Sequence, residues 1–204
     1  ITGGAQGIGK ATGIRCAEEG AKIVIVDIDD EKGTKVVNYL RKGNKSDVLF
    51  IHADISNEED IIRMSEIVMK KYGKIDILIN CALKGIIKGI DATVDEWIEV
   101  FMTNVVGYAL CIKQCPEGLK RSNSGSVINI ASISGFIAQP QYLTYSTCKG
   151  ALVNMTRCLA MDLAQYNIRV NNVCPSTIWT ENNDFFMKRD YGVTKEEANK
   201  HPEI

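Results

Sequence analysis

TGGAQGIG, at residues 2–9, is a glycine-rich turn between a short apolar stub and a helix-like run. Gly3, Gly7 and Gly9 lack Cβ atoms, so the backbone can turn tightly and approach a pyrophosphate at the N-terminus of the following helix. A glycine pattern alone also fits a strand-to-helix turn without a ligand. The surrounding sequence decides, because a ligand-binding turn needs a helix after it and an acidic residue at the end of the next strand.

An acidic residue stands where such a turn requires one. Asp27 follows the apolar run at residues 23–26, about twenty positions beyond the turn, where a carboxylate can accept hydrogen bonds from the adenosine ribose. The same carboxylate would repel a ribose 2′-phosphate. The turn contains no arginine, and Gln6 occupies its last variable position. These residues favour NAD over NADP as the cofactor, although an acid here also fits the simple capping of the next helix.

Apolar runs alternate with helix-like runs along the rest of the chain, as they do when crossover helices connect parallel strands. The runs predict strands at residues 21–26, 48–52, 75–80, 126–131 and 168–174. Their nearly continuous apolar character is typical of strands covered on both faces. We predict an α/β fold with a Rossmann-like, doubly wound parallel sheet and helices on both faces. One domain is expected over residues 1–204, with a substrate loop or lid from about residue 176 to residue 204.

Several helix ends are marked in the sequence. Two candidate capping boxes are Ser56 with Glu59 and Thr93 with Glu96. The second opens a long helix expected to reach about residue 115, and another long helix is expected from residue 143 to about residue 166. Glycines suited to left-handed C-terminal positions are Gly20, Gly43 and Gly73.

A second informative stretch is YSTCK, at residues 145–149. Tyr145 and Lys149 are four residues apart, so on a helix they lie one turn apart on the same face. An unperturbed phenol has a pKa of about 10, and both a nearby ammonium and an oxidised nicotinamide favour the phenolate. Tyr145 can then exchange a proton with an alcohol or a ketone. Ser132 ends a strand, where such sheets bind ligands, and can hold the substrate oxygen.

The combination of these features is more specific than any one of them. A tyrosine–lysine pair alone fits any helix surface. Together with the glycine turn, the strand-end acid and the strand-end serine, it predicts hydride transfer between a nicotinamide and a secondary alcohol or ketone. Tyr142 has no lysine four residues on, and it is interpreted as a wall of the substrate pocket.

The composition excludes other classes of function. The chain has 204 residues and a net charge of −1, so no basic surface for nucleic acid or an anionic membrane is expected. No apolar run reaches membrane-spanning length. The seven cysteines show no paired CxxC spacing and the two histidines, His52 and His201, are far apart, so no metal site is expected. Scattered cysteines in such a chain favour reduced thiols and a cytoplasmic location.

These residues together resemble the short-chain dehydrogenase/reductase family, in its single-domain NAD(P)-dependent form, over essentially the whole chain. The resemblance implies that Asp54 contacts adenine, that Asn104 supports a proton relay through water, and that Lys149 also binds the nicotinamide ribose. It further implies that residues 171–175 and Thr180 wrap around the nicotinamide end.

The predicted site has two overlapping sets of residues. Catalytic roles are predicted for Asn104, Ser132, Tyr145 and Lys149. Cofactor contacts are predicted at Gly3, Gln6, Gly7, Ile8, Gly9, Asp27, Asp54, Ile55, Asn80, Ala82, Tyr145, Lys149, Pro175 and Thr180.

The chain departs from the family pattern in three places. Leu83 stands where the family has a glycine and adds bulk near the nicotinamide ribose or the substrate. Ser176 replaces the glycine that follows the proline in the family. The last strand and helix of the family fold are absent, and only Ile1 and Thr2 precede the glycine turn. We therefore expect both ends of the chain to be incomplete.

The leading hypothesis is an NAD-dependent oxidoreductase that interconverts a secondary alcohol and a ketone. Candidate substrates are polyols and sugars, hydroxysteroids, small hydroxy acids, dihydrodiols and 3-oxoacyl thioesters. The alternatives are an NADP-dependent 3-oxoacyl thioester reductase and a non-catalytic dinucleotide-binding sensor. The resemblance also implies a homo-oligomer, a tetramer or dimer formed through the two long helices.

Overall fold

Five parallel strands form the centre of the fold in the computed structural model, which describes residues 1–44, 47–181, 184, 187–188 and 192–200. The strands are β1 (Ile23–Asp27), β2 (Val48–His52), β3 (Ile77–Asn80), β4 (Ser126–Ile130) and β5 (Arg169–Val173). β1 pairs with β2, and β4 lies between β3 and β5. Thr2 joins the two groups, since it forms parallel bridges to both Val26 and Asn80.

Helices connect the strands and cover the sheet. They are α1 (Gly7–Glu18), α2 (Asp30–Asn44), α3 (Glu58–Tyr72), α4 (Val94–Phe101), α5 (Gly107–Gln114), α6 (Pro116–Lys120), α7 (Leu143–Ala164) and α8 (Lys195–Lys200). A π-helical turn at Met102–Val106 joins α4 to α5. This arrangement confirms the predicted α/β fold with a doubly wound parallel sheet.

Two apolar clusters cover the sheet, and both faces of β1 and β2 are buried between them. One cluster packs α1 and α2 against β1 and β2, with Ile25 and Leu40 fully buried. The other packs α3, α5 and α7 against the opposite face, around Tyr108 and Leu152. Alternate residues of β1 and β2 therefore face different clusters, which explains why these two strands read as continuous apolar runs.

The structure corrects several predicted helix boundaries. The N-cap of α3 is Asn57 rather than Ser56, because Asp54 accepts hydrogen bonds from the Ser56 backbone nitrogen and hydroxyl. Gly43 lies inside α2, which continues to Asn44. The long helix that begins after Thr93 contains the π-helical turn and ends at Gln114.

Other helix ends agree with the sequence. Thr93 and Glu96 form the predicted capping box at the start of α4. Gly20 and Gly73 both have left-handed backbone angles, with φ of 85° and 71°. Helix α7 begins at Leu143 as predicted and ends two residues earlier than expected, at Ala164.

Candidate active site

A single cleft runs along the carboxyl ends of the strands and has a volume of about 1220 Å³. The glycine turn lines one end of it and Ser132, Tyr145 and Lys149 line the other. Asp27, Asp54, Ile55, Ala82 and Pro175 lie along its walls. The topology thus brings together side chains that are far apart in the sequence, at the edge where parallel sheets bind ligands.

The glycine turn is closed on itself in a way that only glycine permits. Gly3 has a φ of +63°, and a Cβ on it would lie 2.5 Å from the Ala82 Cα. A Cβ on Gly9 would lie 2.1 Å from the Gly3 carbonyl oxygen. Because the turn folds back this tightly, the first backbone N–H groups of α1 face the cleft. This cradle fits a dinucleotide pyrophosphate, which binds to such N–H groups at a helix N-terminus.

The Asp27 carboxylate is tied to the turn. Its Oδ2 accepts a hydrogen bond from the Ala5 backbone nitrogen at 3.0 Å, and its Oδ1 accepts one from Asp29 at 3.1 Å. Each oxygen keeps lone pairs for another donor. The negative charge is therefore held at the end of β1, where the sequence predicts the adenosine ribose.

A lysine also lies near the adenosine end of the cleft. The Lys32 ammonium donates to the Gln6 Oε1 at 2.9 Å and is 3.1 Å from the Asp29 carboxylate. Gln6 caps α1 without a side-chain bond to the helix, so its amide is available to hold Lys32. The positive charge of Lys32 is thus paired with an acid in this arrangement.

A carboxylate that the sequence did not reveal lies on the pyrophosphate cradle. The Glu181 Oε2 accepts a hydrogen bond from the Gly7 backbone nitrogen at 3.4 Å, and its Oε1 is 3.3 Å from the Lys10 ammonium. The Thr180 methyl group lies 3.4 Å from the position that a Gly7 Cβ would occupy. The pKa of Glu181 is lowered by a hydrogen bond from its own backbone N–H, and further by the contacts with Lys10 and Gly7. A negative charge is favoured at this helix N-terminus, so Glu181 occupies an anion position.

Ser132, Tyr145 and Lys149 meet at the nicotinamide end. The Lys149 ammonium, with the side chain only 3% exposed, donates to the Ile130 carbonyl oxygen at 2.7 Å. It lies 5.7 Å from the centre of the Tyr145 ring. The hydroxyl of Ser132, two residues after the end of β4, is close enough to the Tyr145 phenol to act on its pKa. Three of the four predicted catalytic side chains therefore line the same end of the cleft.

The electrostatics of this group are dominated by burial. Burial raises the pKa of the Tyr145 phenol above its ordinary value, although the Ser132 hydroxyl acts in the opposite direction. Burial also lowers the pKa of the Lys149 ammonium. The lowered phenol pKa expected from the sequence is therefore not present in this structure. The reason is that desolvation of the phenol outweighs the effect of the neighbouring Ser132 hydroxyl.

Comparison with known proteins identifies the family to which this architecture belongs. The family model described as short chain dehydrogenase matches residues 1–190. The chain belongs to the short-chain dehydrogenase family. An uncharacterized oxidoreductase of Thermotoga maritima is 36% identical to it over 189 residues, which are 92% of this chain and 73% of that protein. The meso-2,3-butanediol dehydrogenase of Serratia marcescens is 34% identical over 182 residues, or 88% and 70% of the two chains.

Solved structures of short-chain dehydrogenases superimpose closely on this one. Levodione reductase has a TM-score of 0.90 at 29% identity, covering 98% of this chain and 79% of the other. NAD⁺-bound xylitol dehydrogenase has a TM-score of 0.81 at 33% identity, covering 86% and 68%. L-Sorbose reductase from Gluconobacter frateurii, complexed with NADPH and L-sorbose, has a TM-score of 0.89 at 28% identity, covering 94% and 74%.

Membership in the family gives the general activity. This short-chain dehydrogenase is an oxidoreductase of alcohol and ketone groups with a Rossmann-type fold that binds NAD(P). Within residues 1–44 and 47–200, as far as these are described, no helix has the length and apolarity that a membrane span needs. The same described residues contain no cluster of three or more histidine, cysteine or acidic side chains that could hold a metal ion.

Asn104 of this short-chain dehydrogenase is a positioning residue in the structure. It lies in the π-helical turn with 1% of its surface exposed. Its Nδ2 donates to the Lys84 carbonyl oxygen at 3.0 Å, and its Oδ1 accepts from the Lys84 nitrogen at 2.8 Å. Both ends of the amide are thus used to hold the loop after β3 beside the cleft. The water relay implied by the family resemblance remains a prediction.

A buried chain of polar side chains supports the floor of the cleft. Asn80 Nδ2 donates to Asn129 Oδ1 at 2.9 Å, and Asn129 Nδ2 donates to Thr156 Oγ1 at 2.8 Å. Thr156 Oγ1 in turn lies 2.8 Å from Asn172 Oδ1. The chain crosses β3, β4, α7 and β5, so it fixes the relative heights of the strand ends. Asn80 therefore supports the sheet through its Nδ2, and the cofactor contact that the sequence predicts for it remains a prediction.

The substrate end of the cleft contains part of the predicted lid. Met187 is buried and lines the cleft, and Trp179 Nε1 donates to Asp184 Oδ1 at 3.1 Å nearby. The other members of the predicted lid, Asn182, Asn183, Phe185 and Phe186, lie outside the described residues. Leu83 also lines the cleft. Its side chain is 52% exposed, so it lies at the rim of the cleft and does not fill the interior.

Proposed function

We propose that this protein is an NAD-dependent oxidoreductase that interconverts a secondary alcohol and a ketone. The observation that carries the proposal is the single cleft in which Ser132, Tyr145 and Lys149 stand at one end and the glycine turn at the other. This arrangement provides a binding site for a dinucleotide and, beside it, a group that transfers a proton.

Each catalytic side chain has a distinct role in the proposed reaction. The cofactor, when bound, supplies the hydride chemistry at its nicotinamide ring. The Ser132 hydroxyl donates a hydrogen bond to the substrate oxygen and holds it against the Tyr145 phenol. Tyr145 removes the hydroxyl proton during alcohol oxidation and returns a proton to the oxygen during ketone reduction. Lys149 stabilises the phenolate by its charge. Asn104 keeps the wall of the cleft in place.

The proposed preference for NAD is supported by the charges at the adenosine end. The Asp27 carboxylate is fixed by two backbone N–H groups, so it cannot easily turn away from a 2′-phosphate. Lys32, which donates to Gln6 in the turn, is already paired with Asp29. The net charge facing a 2′-phosphate is therefore negative, and phosphate binding there is opposed by like-charge repulsion.

A spectrophotometric assay tests the proposed reaction. The protein is mixed with NAD or NADP and with secondary alcohols, sugars, hydroxysteroids or hydroxy acids, and formation of the reduced nicotinamide is measured at 340 nm. We expect turnover with NAD that falls roughly a hundredfold in Ser132→Ala, because that variant lacks the donor to the substrate oxygen.

The matched control is Ser146→Ala. Ser146 is next to Tyr145 in the sequence, but its buried hydroxyl oxygen has no hydrogen-bond partner among the described residues, so its loss should leave turnover intact. Saturable NADH binding without turnover on any of these compounds would reject the proposed reaction and favour a dinucleotide-binding sensor.

We also propose that the protein forms homo-oligomers, either dimers or tetramers, through α4–α5 and α7. Apolar side chains on these helices are exposed in the single chain, among them Val94, Ile98 and Met161. Sedimentation velocity tests this, since a monomer at assay concentration would contradict it. The proposed location is the cytoplasm, which is supported by the seven cysteines, all of them free thiols.

A further inference from the structure

One polar side chain stands out at the substrate end of the cleft. Gln139 is half-buried and lines the cleft together with Ser134 and Tyr145. Much of the remaining lining at this end is apolar: Leu83, Ile87, Ile98, Met102 and Met187. In mostly apolar pockets, a small number of placed polar groups fix the orientation of the ligand. The Gln139 carboxamide is therefore a candidate for such a group.

One end of this carboxamide is already fixed by the protein. The buried Ser134 hydroxyl donates to Gln139 Oε1 at 2.5 Å. The Tyr142 backbone nitrogen donates to the Gln139 carbonyl oxygen at 3.3 Å, which holds the main chain of the loop. The amide nitrogen has no hydrogen-bond partner in the described part of the chain. Gln139 thus keeps two N–H donors for a ligand.

The same serine also links Gln139 to the reacting centre. The Ser134 backbone nitrogen donates to Ser132 Oγ at 3.1 Å, and Ser132 lines the same end of the cleft as Tyr145. Ser134 therefore contacts both Ser132, which is proposed to hold the substrate oxygen, and Gln139. A second oxygen within a few bonds of the reacting carbon comes within reach of the amide.

The charges at this end of the cleft cancel. Lys84 and Glu99 both line the cleft and form an ion pair at 2.6 Å, with about half of each side chain exposed (48% and 52%). Neither is left to pair with a charged substrate group. The second oxygen that Gln139 meets is thus uncharged, because a carboxylate that approached Lys84 would also meet the negative charge of Glu99.

We infer that Gln139 binds a second, uncharged oxygen of the substrate. This residue would make the enzyme select diols, hydroxyketones and polyols over simple alcohols, hydroxy acids and thioesters. The inference rests on the proposed alcohol–ketone reaction and names the substrate class for it. A site built to hydrogen-bond a substrate oxygen discriminates against the analogue that lacks it, because its own polar group is then left unpaired.

Matched substrate pairs test the inference. The values of kcat/KM with NAD are measured for 2,3-butanediol against 2-butanol, and for trans-1,2-cyclohexanediol against cyclohexanol. We expect the wild-type protein to prefer each diol by at least roughly tenfold. In Gln139→Leu that preference should fall by about the same factor. Gln141→Leu is the control, since this exposed glutamine lies outside the cleft lining and should keep the wild-type ratio.

The outcomes separate this inference from the proposed function. Turnover of both members of a pair with equal kcat/KM, or an unchanged ratio in Gln139→Leu, overturns the role of Gln139 and leaves the reaction intact. Absence of turnover with these four compounds and with the wider panel of alcohols, sugars, hydroxysteroids and hydroxy acids overturns the proposed function instead. Calorimetric titration of the diols into the NADH-loaded protein then still tests the role of Gln139. Gln139→Leu should weaken diol binding about tenfold, and an unchanged affinity refutes the inference.

Discussion

Replacing Gly9 by alanine is expected to open the glycine turn and remove cofactor binding. The new Cβ would lie 2.1 Å from the Gly3 carbonyl oxygen and 3.1 Å from the Gly4 Cα. Carbon atoms pack comfortably at about 3.5 Å or more, so the oxygen must retreat by more than about 1 Å. The opposing atoms belong to the backbone, and no change of rotamer can relieve the contact.

The expected magnitude follows from two opposing effects. Overpacking of this kind costs about 1–3 kcal/mol. The gain in helix propensity from glycine to alanine in α1 is at most about 1 kcal/mol. We therefore expect the free energy of unfolding to fall by up to about 2 kcal/mol. The dissociation constant for NADH should rise at least about tenfold, because the N–H cradle is displaced from the pyrophosphate.

Urea denaturation followed by circular dichroism, together with NADH fluorescence titration, measures both effects. Gly43→Ala is the control, since this glycine lies inside α2 with no atom within 4 Å of an added Cβ. It should raise the free energy of unfolding by up to about 1 kcal/mol and leave NADH binding unchanged. A Gly9→Ala protein that unfolds at the wild-type urea concentration and binds NADH normally would refute the account of the turn.

Three further predictions concern cofactor choice, the anion position and pH. Asp27→Ala should raise affinity for NADP relative to NAD in equilibrium titrations, and an unchanged ratio would remove Asp27 from the ribose site. Glu181→Gln should tighten NADH binding roughly two- to fivefold, because the Glu181 carboxylate, held only by a weak ion pair with Lys10, no longer competes with the pyrophosphate for the cradle. Weaker NADH binding in this variant would contradict the prediction. Because burial raises the pKa of Tyr145, the phenol is protonated at neutral pH. The kcat/KM for alcohol oxidation should therefore rise by about tenfold per pH unit below that pKa, while ketone reduction stays constant there and falls only above the pKa. Alcohol oxidation that does not rise with pH in this range would exclude Tyr145 as the titrating group.

The sheet and the catalytic pair could be predicted because their signals are local. Strands buried on both faces read as continuous apolar runs, and four-residue spacing on a helix places Tyr145 above Lys149. The glycine turn is equally local, since Gly3 and Gly9 contact each other within a few residues.

Other features depend on contacts that the sequence does not encode locally. Glu181 reaches Gly7 from 174 positions away, on a segment without a periodic pattern. The N-cap of α3 was predicted wrongly because Ser56 and Asn57 are both good caps, and the choice is decided by the bond from Ser56 to Asp54. The raised pKa of Tyr145 depends on how deeply the folded chain buries the phenol, which residue spacing does not reveal.

The most direct test of the proposed mechanism compares two tyrosines in the same cleft. Tyr142 and Tyr145 have ring centres 6.1 Å apart, and each can be changed to phenylalanine with loss of one hydroxyl. NADH binding and NAD-linked turnover are measured for both variants. Tyr145→Phe should bind NADH normally and lose turnover by at least about a hundredfold, whereas Tyr142→Phe should stay within about fivefold of wild type. Substantial turnover in Tyr145→Phe, or an equal loss in both variants, would contradict the assignment of Tyr145 as the proton-transfer residue.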